Sequence, residues 1–366
     1  MNRRRLGALG IGLLLVLLAE LIARVLPDPT PPARGIVLNP DPTRIWALGE
    51  PPPDDRGPPF YRLSREGNRA VHAPGPAGAP LLLSTGDSSI FGDGLPDGKT
   101  LHDQLQVVLN ARSISARVGT LAVPGYSTVQ TLAALQEVGW EMQPHTLIVG
   151  NLWSDSNLDA FRDADLLRAA GSPMARVERL LVHSALFRQT RMGVNRALGR
   201  PAARKIAWPT PGQRGVRRVP LADYARNLSA MFDGARERGV GVVVLTLANA
   251  PMLQDGLQSS QEWAPYFAVQ SAVAEAHHVP RVEALSIYRS SGLPSRALFQ
   301  DELHPTADAC RLLAEGVADA LVQAGWPARA PVASETAPVI APSDPFDGMG
   351  TLGGPSVQMD LLDGGG

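Results

Sequence analysis

The sequence has little cysteine, little lysine and almost no net charge. Cys310 is the only cysteine among 366 residues, so one chain can form neither an internal disulfide framework nor a zinc site built from cysteines. A lone cysteine within a helical pattern is usually a small core residue. Lysine occurs only at Lys99 and Lys205, whereas arginine is abundant, which indicates a GC-rich, bacterial genome. The formal net charge of −1 gives no reason to expect nucleic acid as a partner.

The first 26 residues differ from the rest of the chain. Three arginines precede an apolar run from Leu6 to Leu26, which Glu20 and Arg24 interrupt. A cleaved signal peptide would need a small-x-small site after the run, and none is well placed. A signal anchor needs about 20 residues with positive charge on the cytoplasmic side. We favour this transmembrane helix over a signal peptide, and predict a single-pass protein of the inner (cytoplasmic) membrane with its domain on the periplasmic or extracellular side.

Composition divides the remaining chain into three parts. Residues 27–78 are rich in proline and glycine and are predicted to be a linker. Residues 327–366 contain mostly small residues and proline, which predicts a disordered tail. The domain lies between them, at residues 79–326. Within it, residues 162–218 carry twelve arginines and one lysine against three acidic residues. This basic insertion is either a solvated surface or a cap that attracts anionic polymers or a membrane surface.

Apolar runs of strand length alternate with helical patterns in the domain. The predicted strands are Leu81–Thr85, Arg117–Val123, Thr146–Val149, Gly241–Leu247 and Pro280–Ala284. The predicted helices are Leu101–Ala111, Val129–Trp140, Leu221–Arg238, Glu262–Ala276 and Thr306–Ala324. This alternation predicts a parallel sheet covered on both faces, a three-layer α/β/α sandwich with five strands. Functional sites in such sheets form at the carboxyl ends of the strands.

A serine follows the first predicted strand of the domain. Leu81–Thr85 runs directly into Gly86-Asp87-Ser88. A serine at a strand-to-helix turn is exposed at the carboxyl edge of the sheet, and the N-terminus of the next helix can stabilise an oxyanion. The tripeptide alone is also compatible with an ordinary turn, but its place after an apolar strand favours a nucleophile.

An aspartate and a histidine lie close together before the last predicted helix, in Asp301-Glu302-Leu303-His304-Pro305. An aspartate three residues before a histidine can reach its Nδ1 on a tight loop. That contact fixes the tautomer and leaves Nε2 to deprotonate a serine. The other six histidines lack an aspartate at this spacing. We expect no metal and no other cofactor.

Taken together, these segments resemble the SGNH (GDSL-like) hydrolase family, over roughly residues 79–325. Gly86-Asp87-Ser88 matches the first block of the family, Pro124-Gly125-Tyr126-Ser127 matches the second, and Asp301–Pro305 matches the last. The resemblance implies a flavodoxin-like fold, with Ser88 as nucleophile, His304 as general base and Asp301 as the residue that orients it. It also implies that the backbone N–H groups of Ser88 and Gly125 line an oxyanion hole.

The third block departs from the family pattern. The family has Gly-x-Asn-Asp after the third strand, where the asparagine supplies a third oxyanion donor, but this chain reads Gly150-Asn151-Leu152-Trp153-Ser154-Asp155. Counted from Pro144, the asparagine position falls on Ser154; counted from the end of the strand, it falls on Asn151. We favour Ser154, whose hydroxyl can donate one hydrogen bond.

These features predict a serine esterase that cleaves O-acyl esters through an acyl-enzyme. Acetyl groups on a cell-envelope polysaccharide are the expected substrates, by analogy with the family and from the predicted export. One alternative is an O-acetyltransferase that passes the acyl group to a carbohydrate hydroxyl. Another is a non-catalytic protein for glycan binding or envelope assembly, in which the altered third block marks lost activity.

Overall fold

The computed structural model describes residues 3–26, 35–51, 61–198, 215–256 and 262–326. Its strands are β1 (Leu38–Asp41), β2 (Ile45–Leu48), β3 (Leu81–Gly86), β4 (Arg117–Thr120), β5 (Thr146–Gly150), β6 (Leu158–Asp159), β7 (Val216–Arg217), β8 (Gly241–Thr246) and β9 (Arg281–Glu283). Its helices are α1 (Arg3–Val25), α2 (Ser88–Phe91), α3 (Leu101–Ala111), α4 (Thr128–Ala134), α5 (Trp153–Ser156), α6 (Asp163–Ala170), α7 (Pro173–Leu181), α8 (Ala185–Ala197), α9 (Leu221–Glu237), α10 (Ala250–Asp255), α11 (Ala264–Ala276), α12 (Ala284–Ser290), α13 (Ser295–Leu298) and α14 (Ala307–Gln323).

Five strands form a parallel sheet in the order β4-β3-β5-β8-β9. This is a doubly wound order, in which the chain starts in the middle of the sheet and moves outward to both edges. The helices α3, α12 and α14 pack on one face, and α4, α9 and α11 pack on the other. The predicted α/β/α fold with five parallel strands is therefore confirmed. Cys310 is buried in α14, as a small core residue should be.

The central strands are buried because both faces of the sheet are covered. Every residue of β3 and β5 is buried, and their register places the last glycines, Gly86 and Gly150, side by side. The predicted boundaries of these strands hold to within one residue. The predicted helix Val129–Trp140 is only partly α-helical, since α4 ends at Ala134 and a single π turn over Leu135–Gly139 continues it. The ends of β3 and β5 thus lie together at one edge of the sheet.

The prediction of a linker over residues 27–78 is wrong for the parts that the structure describes. β1 and β2 form an antiparallel hairpin, and Ile45, Trp46 and Leu48 on β2 are buried in the main core. Tyr61 and Arg69 are also buried. The physical reason is that apolar side chains between the prolines and glycines reach the core, which composition alone does not reveal. The rest of the predicted linker lies outside the described residues.

The basic segment 162–218 has buried ends as well as an exposed middle. Large apolar side chains of α7 are exposed, among them Met174 and Leu180. Asp163 and Arg218, however, are fully buried and form an ion pair in which Arg218 Nη2 lies 2.7 Å from Asp163 Oδ2. A solvated surface therefore does not describe the whole segment. Residues 199–214 lie outside the described part, and the role of the segment as a cap stays a prediction.

The N-terminal segment, predicted to be a membrane anchor over residues 1–26, forms the helix α1. Its Glu20 carboxylate accepts hydrogen bonds from Ser184 Oγ (2.7 Å) and from the N–H groups of Ala185 and Leu186 (3.0 Å each). Of the helices that the structure describes, none combines the length and the apolar character needed to cross a membrane. The predicted tail at 327–366 lies outside the described residues.

Candidate active site

Ser88 lies at the carboxyl edge of the sheet, at the point where β3 becomes a helix. Gly86 ends the strand with φ +153°, and a Cβ at this position would lie 2.5 Å from Ile90 Cγ1, so the turn requires glycine. Asp87 is the N-cap of α2 and accepts a hydrogen bond from the N–H of Ser89 at 3.0 Å. Ser88, the first residue of α2, is half-buried. The turn therefore presents its hydroxyl at the end of the central strand.

His304 and Asp301 lie beside Ser88, although 213 or more positions separate them from it in the chain. His304 Nε2 is 2.9 Å from Ser88 Oγ, and His304 Nδ1 is 2.7 Å from Asp301 Oδ2. An ionised carboxylate can only accept, so Nδ1 carries the ring proton and Nε2 accepts from the serine hydroxyl. The three side chains predicted from the sequence therefore form one continuous chain of hydrogen bonds.

The loop that carries the histidine is held by the same aspartate. Asp301 Oδ1 accepts hydrogen bonds from the N–H groups of Leu303 and His304, each at 2.8 Å. Partial burial alone would raise the pKa of Asp301, but the hydrogen bonds from His304 and Leu303 outweigh it and hold the pKa below its usual value. Asp301 thus stays ionised near neutral pH, and its two oxygens fix both the loop and the imidazole ring.

The two backbone N–H groups predicted to line the oxyanion hole, those of Ser88 and Gly125, donate no hydrogen bond within the described residues. The N–H of Ser88 has no acceptor inside α2 because it is the first residue of that helix. Gly125, in the loop between β4 and α4, adopts φ +78°, and its N–H is equally free. Free backbone N–H groups are the kind of donor that an oxyanion requires.

The third block places its two candidate donors differently. The side chain of Asn151 is fully buried, and its Nδ2 donates to Thr131 Oγ1 at 2.9 Å. The N–H of Ser154 donates to Oδ2 of Asp87, the residue before Ser88, at 3.3 Å. Ser154 Oγ has no hydrogen-bond partner among the described residues. The structure therefore commits the Asn151 amide to the core and leaves the Ser154 hydroxyl available.

Asp87 links the first and third blocks, a contact that sequence reasoning missed. Its two oxygens accept from the N–H groups of Ser89 and Ser154. Complete burial raises the pKa of Asp87 to about 6, although these hydrogen bonds and the nearby His304 favour the charged form. The contact with Ser89 could have been predicted from Gly86-Asp87-Ser88, since an aspartate between a strand and a helix is a good N-cap. The contact with Ser154 could not, because it depends on the register of β3 against β5.

A buried polar network behind the Gly125 loop was also missed. Arg218 Nη2 donates to the carbonyl of Gly125 at 2.9 Å and pairs with Asp163. Asp155 accepts from the N–H and the hydroxyl of Thr128 at 2.8 and 2.5 Å. Burial raises the pKa of Asp155 to about 8 despite these hydrogen bonds. No group of three or more histidine, cysteine, aspartate or glutamate side chains could hold a metal ion within the described ranges.

Comparisons with known proteins add similarity of structure only. No protein-family model matches the chain, and no curated protein matches it significantly. Among solved structures, LAE5, an alpha/beta hydrolase enzyme from the metagenome of Lake Arreo in Spain, is 17% identical with a TM-score of 0.44, covering 68% of this chain and 96% of LAE5. TesA is 17% identical with a TM-score of 0.41, over 66% of this chain and 97% of TesA. Axe2, an acetylxylan esterase from Geobacillus stearothermophilus, is 15% identical with a TM-score of 0.43, over 68% of this chain and 95% of Axe2.

Proposed function

We propose that this protein is a serine esterase that cleaves O-acyl esters through an acyl-enzyme. The observation that carries the proposal is the pair of contacts from His304, at 2.9 Å to Ser88 Oγ and at 2.7 Å to Asp301. Nucleophile, base and orienting acid at these separations are what acyl transfer requires. The match of the sequence blocks to the SGNH pattern supports the same reading.

In this proposal each group has its own part in the reaction. Ser88 Oγ attacks the ester carbonyl while His304 Nε2 takes its proton, and Asp301 stabilises the resulting imidazolium. The N–H groups of Ser88 and Gly125 and the hydroxyl of Ser154 stabilise the negative charge on the carbonyl oxygen. His304 then protonates the leaving alcohol, which leaves an acyl group on Ser88. Water, deprotonated by the same imidazole, releases the acid and restores the serine.

Two variants of adjacent serines test the assignment. With the purified chain and a chromogenic acetate ester, Ser88→Ala should remove hydrolysis and labelling by a fluorophosphonate. Ser89→Ala is the matched control, because within the described residues the Ser89 hydroxyl donates only to the carbonyl of Leu303, at 3.4 Å. The control should keep most of the activity. Hydrolysis that persists unchanged in Ser88→Ala would refute Ser88 as the nucleophile. Absence of labelling in folded wild-type protein would favour a binding protein instead.

The substrate that we propose is an acetylated polysaccharide of the cell envelope. Its support is the predicted export of the domain, which stays a prediction from the first 26 residues, together with analogy to the family. Release of acetate from envelope material, absent with Ser88→Ala, tests this. An O-acetyltransferase would instead yield an acetylated carbohydrate acceptor, which mass spectrometry distinguishes from free acetate. Sequencing the mature N-terminus tests the anchor, and cleavage near Ala23 would contradict it.

A further inference from the structure

The hairpin formed by β1 and β2 contacts the loop that carries Gly125. Trp46, on β2, is 4% exposed, and its indole Nε1 donates a hydrogen bond to the carbonyl oxygen of Pro124 at 3.2 Å. In return, the hydroxyl of Tyr126 donates to the carbonyl oxygen of Trp46 at 2.8 Å. The hairpin and the loop are therefore tied together on both sides of Gly125.

The contact made by Trp46 falls on the peptide bond that contains the candidate oxyanion donor. The carbonyl of Pro124 and the N–H of Gly125 belong to one planar peptide unit, in which the two groups point in opposite directions. A hydrogen bond that fixes the carbonyl therefore also fixes the direction of the N–H. This N–H makes no hydrogen bond of its own within the described residues, so its aim depends on the other end of the peptide.

Glycine makes such an external constraint necessary. Gly125 has φ +78°, a conformation open to glycine, but glycine also reaches many others at little cost. The next peptide unit is held as well, because Arg218 Nη2 donates to the carbonyl of Gly125 at 2.9 Å. The guanidinium of Arg218 lies 5.7 Å from the centre of the Trp46 ring. Trp46 and Arg218 thus hold the two peptides on either side of the Gly125 Cα.

We propose that Trp46 is a positioning residue of this hydrolase site, whose indole N–H aims the N–H of Gly125 at the oxyanion. The proposal rests on the proposed esterase function. An oxyanion hole works through donors that are already oriented before charge develops. Loss of the indole N–H would free the Pro124–Gly125 peptide to rotate, so that donation to the transition state weakens while ground-state binding of a neutral ester changes little.

The test is Trp46→Phe, which removes the donor and keeps an aromatic ring against Tyr126 and Arg218. We expect kcat for a chromogenic acetate ester to fall about tenfold with KM within twofold, a smaller loss than the roughly 10²–10³-fold that deleting a donor outright costs. The matched control is Trp140→Phe, since the guanidinium of Arg238 lies 4.9 Å from the centre of the Trp140 ring, but Trp140 lies beyond the π turn that continues α4. Its kcat should stay unchanged.

A second readout separates positioning from simple loosening of the fold. An arylboronic acid forms a tetrahedral anion on Ser88, so its affinity should fall in step with kcat in Trp46→Phe. Unchanged kcat and boronate affinity in folded Trp46→Phe would overturn the proposal. A wild type without Ser88-dependent hydrolysis would instead refute the esterase function, independently of Trp46.

Should Trp46→Phe fail to fold, the wild-type protein carries the test by NMR. Phosphonylation of Ser88 places a strongly polarised phosphoryl oxygen in the oxyanion hole, and a hydrogen bond from the N–H of Gly125 would polarise the shared peptide. The indole N–H resonance of Trp46 should then shift while that of Trp140 stays in place. An unmoved Trp46 resonance in fully phosphonylated protein would overturn the proposal.

Discussion

The identity of the proposed third oxyanion donor can be tested directly by mutation. The two candidates, Ser154 and Asn151, are three positions apart, and each can be changed to alanine. The structure predicts opposite consequences. Ser154→Ala should slow the reaction and leave the fold intact. Asn151→Ala should weaken the fold and leave the chemistry intact.

The expected magnitudes follow from the contacts of each side chain. Ser154 is buried, but its Oγ has no hydrogen-bond partner in the described part of the chain, so its loss should change the free energy of unfolding by no more than about 1 kcal/mol. Deleting an oxyanion donor costs about 10²–10³ in kcat in a well-studied protease. A serine hydroxyl reaches less far than an amide, and we therefore expect a fall of about 10²-fold, or ~2.7 kcal/mol in the barrier.

Asn151→Ala removes a fully buried amide that donates to Thr131 Oγ1 at 2.9 Å. It leaves the Thr131 oxygen without that donor in a site closed to water, which should cost about 1–3 kcal/mol of unfolding free energy. The backbone carbonyl of Asn151, which accepts from the hydroxyl of Tyr224 at 2.8 Å, is retained. For this reason kcat should stay within about threefold of wild type.

Steady-state kinetics with a chromogenic acetate ester, paired with urea denaturation of each variant, measures both effects. The decisive comparison is made at a temperature where both variants are fully folded. A fall of 10²-fold in kcat for Asn151→Ala, with normal kcat for Ser154→Ala, would show that the register counted from the end of the strand is the correct one. The assignment of Ser154 would then be wrong.

Three further predictions follow from the charged groups. Asp301→Asn should lower kcat by about 10²–10⁴, measured with the same ester, and wild-type kcat would show that the carboxylate does not act on the histidine. Arg218→Leu leaves Asp163 buried without its cation and should cost about 3–5 kcal/mol in urea denaturation; a cost below 1 kcal/mol would contradict the buried ion pair. The pKa of Asp155 is raised in the folded protein to about 8, so the folded state holds this proton more tightly and the contribution of Asp155 to stability should fall as pH rises from 4 to 8. Asp155→Asn, whose amide oxygen still accepts from Thr128, should match wild type near pH 5 and exceed it by roughly 1–3 kcal/mol at pH 9, and equal stability at both values would refute the raised pKa.

Local patterns predicted the strands and the position of Ser88 at the end of β3 well. β3 is a short apolar run in a sequence of alternating strands and helices, and such a run is a central strand wherever its neighbours cover both faces. The spacing of Asp301 and His304 is local too, since three residues of one tight loop decide whether carboxylate and imidazole meet. That this loop lies beside Ser88 could be predicted from the rule that sites form at the carboxyl edge of a parallel sheet.

Contacts between distant segments could not be predicted in the same way. Trp46 reaches the carbonyl of Pro124 across 78 positions, and Arg218 reaches that of Gly125 across 93. Nothing in the composition around either residue marks it as buried. A stretch with many prolines resembles a linker, and a stretch with many arginines resembles a solvated surface. Composition cannot separate the buried side chains of such a stretch from the exposed ones.

The domain includes residues that lie before position 79. A boundary drawn at residue 79 follows the change in composition, but it removes Trp46 and Tyr61 from the core and Arg69 from its contacts. Arg69 is 1% exposed and donates to the carbonyl oxygens of Phe91, Gly92 and Leu95 at 2.7–3.1 Å, at the end of α2 and in the turn that follows it. Carbonyl groups that lose a buried donor must find water or a new partner, so this turn would rearrange. The segment before residue 79 therefore belongs to the domain physically, since it supports the serine turn through Arg69 and the Gly125 loop through Trp46.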